Sequence, residues 1–211
     1  MFDTETTRFL TELAANNNRD WFKDNRARYD GAVAGPAKAF ADVFGAELER
    51  RHQQTITPRL FRIHRDVRFS KDKTPYNTHI HMAWRVASAP LWWMVGIELD
   101  RVVIGYGCFG FDKAKLEQWR QRIAGPEGEA LTGILDMLVA SGARMEEPEL
   151  KRVPSPFGAD HPRGDLLRRK SLAVWHSDLP VQAAYGEAAP GQLAHKMAEF
   201  DSLHHWVTKT L

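Results

Sequence analysis

The sequence predicts an α+β protein, in which an antiparallel sheet of about five strands is packed by N-terminal and C-terminal helices. Two observations lead to this fold class. The hydrophobic spacing is helical in about the first fifty residues, alternates between residues 59 and 109, and is helical again from residue 112. The connections between the predicted strands are short, and short connections join antiparallel neighbours. No repeat or long linker interrupts the chain, so we expect a single domain over residues 1–211.

Three helices are predicted before the sheet. Apolar residues recur at helical spacing after Asp3 or Thr4, either of which can serve as the N-cap of the first helix. The three asparagines at 16–18 end this helix, because their short amide side chains compete for backbone hydrogen bonds. Asp20 is the expected cap of a second helix. A break before Pro36 then precedes the third helix, since proline suits a first helical turn.

The central part of the chain alternates between apolar and polar residues, as half-buried strands do. In the first predicted strand one face holds Phe61, Ile63, Val67 and Phe69, and the other holds Arg62, His64, Asp66 and Arg68. Four further strands are predicted over residues 79–87, 91–99, 101–109 and 172–176. His79 and His81 lie on the polar side of the second strand. Asp100-Arg101 indicates a tight hairpin turn.

Helices are predicted again after the sheet. They are expected over residues 112–124, 128–141, 164–169 and 190–211. Asp112 is placed to cap the first of them. Residues 144–163 contain four prolines and are expected to form a loop.

The composition excludes several classes of protein. The chain has 29 Lys and Arg against 27 Asp and Glu, a net charge of +2, which is too balanced for a generally basic nucleic-acid-binding protein. No stretch approaches about 18 uninterrupted apolar residues, and the first ten residues lack the pattern of a signal peptide. The single cysteine, Cys108, excludes an internal disulfide and suits a reducing compartment. We therefore expect a soluble, cytoplasmic protein with no membrane partner.

The densest cluster of charge lies in residues 59–76, RLFRIHRDVRFSKDKTPY. Six Lys or Arg residues stand against two Asp residues between Arg59 and Lys73. Arg65 occupies a position where the alternation expects an apolar side chain, and a buried guanidinium must be paired. Arginine supplies a bidentate fork, lysine a point charge and hydroxyl groups neutral donors, so we expect this segment to bind a phosphate or carboxylate. The predicted ligand-binding residues are Arg65, Asp66, Arg68, Lys71, Asp72, Lys73 and Tyr76.

A purely structural explanation of the same segment stays open. Arg65 pairs with an acidic residue under the sheet, Asp66 and Arg68 form a cross-strand ion pair, and Asp72 caps a turn. Isolated surface pairs of this kind stabilise a fold by less than about 1 kcal/mol.

A second basic segment surrounds His161. Asp160-His161-Pro162 precedes a short predicted helix, so Asp160 or His161 can cap that helix. The alternative is a general acid–base histidine oriented by Asp160. A basic helix face is expected beside it, formed by Arg163, Arg168, Arg169 and Lys170. His161 is thus the candidate catalytic residue, and whether the protein is an enzyme is left open.

His79 and His81 are the candidate metal ligands, because alternate residues of a strand share a face. A third ligand, His64 or Glu98, stands at no recognisable spacing from them, so we expect no metal or other cofactor. No P-loop, nucleophile elbow or metalloprotease motif is present. The glycines of Gly105-Tyr106-Gly107 lie in a strand and indicate close packing or a bulge.

Five short segments of the sequence resemble the motifs of a known protein family. They are Asn17 to Phe22, Phe61 to Tyr76, Gly105 to Gly107, Leu150 to Pro154 and Asp160 to Ser171. Together they resemble the signature of the bacterial and fungal family called domain of unknown function 2461, over nearly the whole chain. The resemblance implies one conserved domain and no particular activity.

The functional interpretation favoured by the residues is an anion-binding pocket, with an anionic small molecule as the partner, at the end of the first strand and in its following loop. The alternative is a non-enzymatic module that binds nucleic acid or an acidic partner through the same basic surface. A structural role for the motif is the third.

Overall fold

The structure is a computed structural model that describes residues 1–87 and 89–211. It confirms the α+β class, with helices before and after an antiparallel sheet. Among the described residues the sheet has six strands, in the order β1-β2-β3-β4-β6-β5. The strand beyond the expected five is β5, which has only two residues and lies inside the predicted loop.

The N-terminal helices are α1 (Thr4–Ala15), α2 (Arg19–Asp24), α3 (Arg26–Tyr29) and α4 (Gly35–His52). Asp3 accepts hydrogen bonds from two N–H groups of the first turn of α1, which confirms it as the N-cap. The predicted cap of α2 is wrong, because Asn18 and not Asp20 accepts the N–H of Trp21, at 2.9 Å. Asn18 directly precedes the first helical residue, which is where a side chain reaches the free N–H groups.

Two helix boundaries also differ from the prediction. The expected break at Gly35-Pro36 is absent: a π-helical segment (Asp30–Ala34) leads directly into α4. Pro36 is tolerated there because the first turn needs no hydrogen bond from its nitrogen. The closing helix is divided into α8 (Ala189–Lys196), a 3₁₀ turn (Met197–Phe200) and α9 (Asp201–Thr210). A 3₁₀ turn aligns residues three apart, and both residues at the ends of this turn are buried.

The strands are β1 (Ile56–Leu60), β2 (Ile80–Val86), β3 (Trp92–Ile97), β4 (Arg101–Cys108), β5 (Arg144–Met145) and β6 (Leu172–Pro180). β1 and β2 are antiparallel, with Ile56 opposite Val86 and Leu60 opposite Met82. The hairpin between β3 and β4 is confirmed, closed by the N–H of Glu98 on the carbonyl of Arg101.

The first predicted strand is wrong beyond Leu60. The chain leaves the ladder there, and Phe61 and Phe69, expected on the buried face, are exposed. Side chains offer the backbone other partners in this stretch: Asp72 accepts the N–H of Thr74, and Lys73 donates to a carbonyl. Such local bonds compete with a strand ladder.

The helices after the sheet are α5 (Lys113–Ala124), α6 (Pro126–Ala140) and α7 (Gly164–Leu167). Asp112 caps α5 as predicted, accepting the N–H of Lys115 at 2.8 Å. None of the described helices has the length and apolar character needed to cross a lipid bilayer.

The described residues form two compact units. Unit 1 contains residues 1–87, 93–104 and 177–196. In its core α4 packs on β2, where the ring of Phe44 lies 4.3 Å from that of Trp84. The indole N–H of Trp84 donates to the carbonyl of Ala41 at 2.9 Å, so this buried polar group is satisfied.

Unit 2 contains residues 89–92, 105–176 and 197–211 among those described. The buried indole of Trp119 donates to the carbonyl of Leu166 at 3.0 Å. A Cβ on Gly105 would overlap the ring of Trp175, which confirms the close packing expected of the strand glycines. Cys108 is a buried free thiol, and burial raises its pKa.

Candidate functional site

The long connection between β1 and β2 forms an irregular extension of their hairpin. The N–H of Phe61 donates to the carbonyl of His81 at 3.0 Å, and the N–H of Asn77 donates to that of Ile63 at 2.7 Å. A third bond, of 2.8 Å, runs from the N–H of Arg65 to a carbonyl across the loop. These bonds hold the two sides of the connection antiparallel, so polar side chains from both sides meet. We call residues 61–79 the hairpin loop.

The hairpin loop and the start of β2 enclose an open cavity of about 370 Å³. Its lining consists of Phe61, Arg62, His64, Arg65, Asp66, Asn77, His79 and His81. Most of these residues belong to the polar faces that the alternation predicts for the first two strands. The predicted first strand is irregular after Leu60, but the side chains predicted for its polar face, Arg62, His64 and Asp66, still line one surface. We call this the histidine cavity.

One wall of the histidine cavity is fixed by aromatic packing. The N–H of Tyr76 donates to the side-chain oxygen of Asn17 at 3.1 Å, and the amide nitrogen of Asn17 donates to the carbonyl of Tyr76 at 2.9 Å. Tyr76 is 6% exposed, and its ring stacks on that of Phe22 at 4.1 Å. The imidazole of His64 meets the Tyr76 ring edge-on at 5.1 Å. Tyr76 therefore lies in the core, where it supports His64.

The opposite wall is a pair of stacked histidines. The rings of His79 and His81 are 3.9 Å apart, with an angle of 28° between their planes. Burial lowers the pKa of His79, and burial together with the neighbouring His79 lowers the pKa of His81 to about 4. Glu98 opposes both shifts without reversing them. Both imidazoles are therefore neutral at pH 7, and each offers one N–H donor.

A glycine in the neighbouring strand makes room for this pair. A Cβ on Gly96 of β3 would lie 3.1 Å from Cδ2 of His81. That distance is shorter than an ordinary van der Waals contact. The absence of a side chain at Gly96 thus lets the His81 ring lie against β3.

The histidine cavity has an excess of positive charge. The guanidinium of Arg62 makes no hydrogen bond or ion pair with the residues that the structure describes. Asp66, the one carboxylate among the described residues of the lining, accepts hydrogen bonds from Arg68 at 2.9 and 2.7 Å. These bonds lower the pKa of Asp66 and keep it ionised. Arg62 adds a weaker electrostatic attraction to Asp66, but Arg68 holds both oxygens of that carboxylate, so the Arg62 guanidinium keeps its hydrogen-bond donors open to a ligand.

Arg65 organises the loop beneath the cavity. Its Nη1 donates to Asp72 Oδ2 at 2.5 Å, to the carbonyl of Thr74 at 3.1 Å and to the Thr74 hydroxyl. The N–H of Thr74 and the Arg65 guanidinium lower the pKa of Asp72 to about 2. The partner of Arg65 is therefore an aspartate of its own loop, and no acidic residue under the sheet is needed. Arg65 also contributes to the cavity lining.

The structure separates the predicted ligand-binding residues. Arg65 and Asp66 line the histidine cavity, Arg68 reaches it through Asp66, and Tyr76 supports it from the core. Asp72 and Lys73 brace the loop, with Lys73 Nζ donating to the carbonyl of Val67 at 2.9 Å. Lys71 is exposed and forms no ion pair with a described residue. The Asp66–Arg68 pair lies within one segment and does not cross strands.

His161 lies in unit 2, in a different cavity of about 770 Å³. Its Nδ1 accepts the N–H of Arg163 at 3.0 Å, so the contact shown is the bracing of the turn before α7. The guanidinium of Arg163 donates to the carbonyls of residues 123–125 at the end of α5. Arg168 pairs with Asp165. Arg169 donates to the carbonyl of Glu146, so three residues of the expected basic helix face make internal contacts and Lys170 is exposed. An acid–base role for His161 stays a prediction.

No group of three or more His, Cys, Asp or Glu side chains in the described part of the chain is arranged to hold a metal ion. Several residues of the site were not predicted to bind the anion. His64, His79 and His81 were considered only as metal ligands, and Phe61, Arg62, Asn77, Asn17 and Gly96 were given no ligand role. For Arg62 the signal was present, since it alternates with His64 and Asp66 along the polar face. For Asn17 and Gly96 no local pattern reports a contact made across the fold.

The fold and this site define an α+β protein whose first compact unit carries an open cavity lined by histidine and arginine at the end of a β-hairpin. The chain belongs to the family described as conserved hypothetical protein (DUF2461), whose model matches residues 5–206. The resemblance seen in its motifs is thereby confirmed. No curated protein and no solved structure matches the chain.

Proposed function

We propose that the histidine cavity binds a small anion, either a phosphate or a carboxylate group. The observation that carries the proposal is the guanidinium of Arg62, which forms no hydrogen bond or ion pair with a described residue, beside three histidines in a cavity where Arg68 already binds the one carboxylate among the described lining residues. A concentrated positive charge in a concave site attracts an anion.

The chain's buried free thiol, Cys108, fits a reducing compartment, and we propose a cytoplasmic location.

The chemistry of the lining suits a tetrahedral or planar oxyanion. Arg62 supplies a two-pronged donor, which matches two oxygens of one phosphate or carboxylate. The neutral imidazoles of His79 and His81 supply one N–H each, and the amide of Asn77 supplies neutral donors. A cavity of about 370 Å³ is at the small end of ligand sites, which favours a small metabolite or one charged group of a larger ligand.

This proposal assigns two roles to residues 59–76 and to the two histidines that follow them in the cavity. Arg62, His64, His79 and His81 contact the anion, whereas Asp72, Lys73 and Tyr76 hold the loop and Arg65 contributes to both. The structural explanation of the segment thus applies to its second half. The functional explanation applies to the polar face of its first half.

The test compares two arginines of unit 1 by titrating pyrophosphate in a calorimeter. Arg62→Gln is expected to weaken binding at least tenfold, because a charge-assisted bidentate contact contributes about 1.5–3 kcal/mol. Arg85→Gln is the matched control, since Arg85 is exposed in β2 outside the cavity and is expected to change affinity less than twofold. Equal weakening by both variants would mean that only the general charge of the surface matters.

A further inference from the structure

The surface beside the histidine cavity exposes aromatic rings. Phe69 is 95% exposed and Phe61 is 47% exposed. Each ring has a guanidinium near it: Arg68 Cζ lies 5.8 Å from the centre of the Phe69 ring, and Arg59 Cζ lies 4.9 Å from that of Phe61. Both aromatic rings are therefore presented together with positive charge.

Contacts in the structure connect these rings to the cavity. Phe61 is itself part of the cavity lining, and so is Asp66. Asp66 binds the guanidinium of Arg68, and Arg68 lies over the Phe69 ring. A ligand whose charged group occupies the cavity can thus extend over an arginine onto an open aromatic face.

The charge of this surface is one-sided. Its cations are Arg59, Arg62, Arg65, Arg68, Lys71 and Lys73. Its two aspartates, Asp66 and Asp72, are each bound by an arginine of the same surface. The cations Arg62 and Lys71 make no ion pair with any residue that the structure describes.

We infer that this surface binds single-stranded nucleic acid, with a backbone phosphate in the histidine cavity and an unpaired base stacked on Phe69. The inference rests on the proposed function and names the ligand that supplies the anion. Positive grooves with interspersed aromatic rings are the general means of binding single strands, because every base has a flat face to stack. A duplex offers no free base face to a single projecting ring. Phe69 is flanked by Arg68 and Ser70 and followed by Lys71, so its ring lacks the continuous apolar area of a protein interface.

The experiment measures fluorescence anisotropy with a labelled oligothymidylate of about 12 nucleotides and with an abasic strand of equal length. Wild-type protein is expected to bind the thymidine strand about tenfold more tightly than the abasic strand. Phe69→Ala and Phe69→Leu are expected to remove this preference, since one stacked base contributes about 1–3 kcal/mol. Phe69→Trp is the matched control that keeps a stacking face. The near-complete exposure of Phe69 leaves the fold unaffected, which the melting temperature checks.

The outcomes separate the two proposals. Equal affinity for both strands, or wild-type affinity in Phe69→Leu, overturns the stacked base; so does binding to vesicles of phosphatidylserine and phosphatidylcholine without binding to the thymidine strand. None of these results affects the anion proposal as long as Arg62→Gln still weakens pyrophosphate binding. Conversely, if Arg62→Gln changes neither pyrophosphate nor strand affinity, the phosphate in the cavity is wrong, and the Phe69 variants then report stacking alone.

Discussion

The hairpin loop of unit 1 and the turn around α7 in unit 2 (residues 160–170) have similar compositions and use their arginines differently. In the α7 turn, Arg163 donates three hydrogen bonds to backbone carbonyls, Arg168 binds Asp165, and the buried Arg169 donates to the carbonyl of Glu146. In the hairpin loop, Arg62 has no such bond to a described residue. A cluster of cations therefore indicates a ligand site only where donors remain after the protein's own acceptors are counted.

The largest expected effect tests the structural side of this comparison. Arg163→Ala removes three charge-assisted bonds and takes the guanidinium away from the carbonyls of Ile123 and Ala124, whereas the carbonyl of Gly125 keeps the N–H of Gly128. We expect the free energy of unfolding to fall by about 3 kcal/mol, measured by urea denaturation. Arg62→Ala, which removes a guanidinium with no bond to lose, is expected to change it by less than about 0.5 kcal/mol. Similar losses in the two variants would show that the arginines of the two regions do not differ.

The next effect concerns the pH dependence of anion affinity. The pKa of His81, lowered to about 4, leaves the imidazole neutral in the free protein at pH 7. A bound sulfate stabilises the imidazolium and raises that pKa. Binding therefore takes up protons at pH values between about 4, the pKa of the free protein, and the raised pKa of the complex. Affinity for sulfate should therefore increase as the pH falls from about 6.5 towards 5, by up to about tenfold per pH unit for each imidazole.

Sulfate keeps its charge over this range, so the change in affinity comes from the protein. His81→Gln should flatten the dependence and leave the contribution of His79. A dissociation constant that does not vary with pH would place the histidines away from the anion.

The stability of the fold changes with pH in the direction opposite to the anion affinity. The unfolded chain protonates His81 near its ordinary pKa of 6.5, whereas the folded chain does so only near 4. The fold therefore loses stability as the pH falls through this window.

The same two regions show how much the sequence determines. Alternation predicted β2, β3 and β4, and it placed Arg62, His64 and Asp66 on one polar face, because period-2 spacing reports which side chains share a side. It placed the first strand over residues 59–69, whereas β1 spans Ile56–Leu60, because alternation does not show that Asp72 and Lys73 bind the backbone locally. Nor could charge density separate Arg62 from Arg65. That distinction depends on Asp72 returning to Arg65 across the loop, which is a property of the folded chain.

The smallest expected effect sharpens the geometry of the histidine pair. In Gly96→Ala the new methyl group would lie 3.1 Å from Cδ2 of His81, so the imidazole must move by a few tenths of an ångström. We expect sulfate affinity to fall about two- to threefold, because hydrogen bonds weaken as their alignment is lost. Gly133→Ala is the matched control, since nothing lies within 4 Å of its new Cβ. The NMR signals of the His81 ring should shift in the first variant only. An unchanged affinity with shifted ring signals would mean that His81 borders the cavity without donating to the anion, which would leave Arg62 and His79 as its main donors.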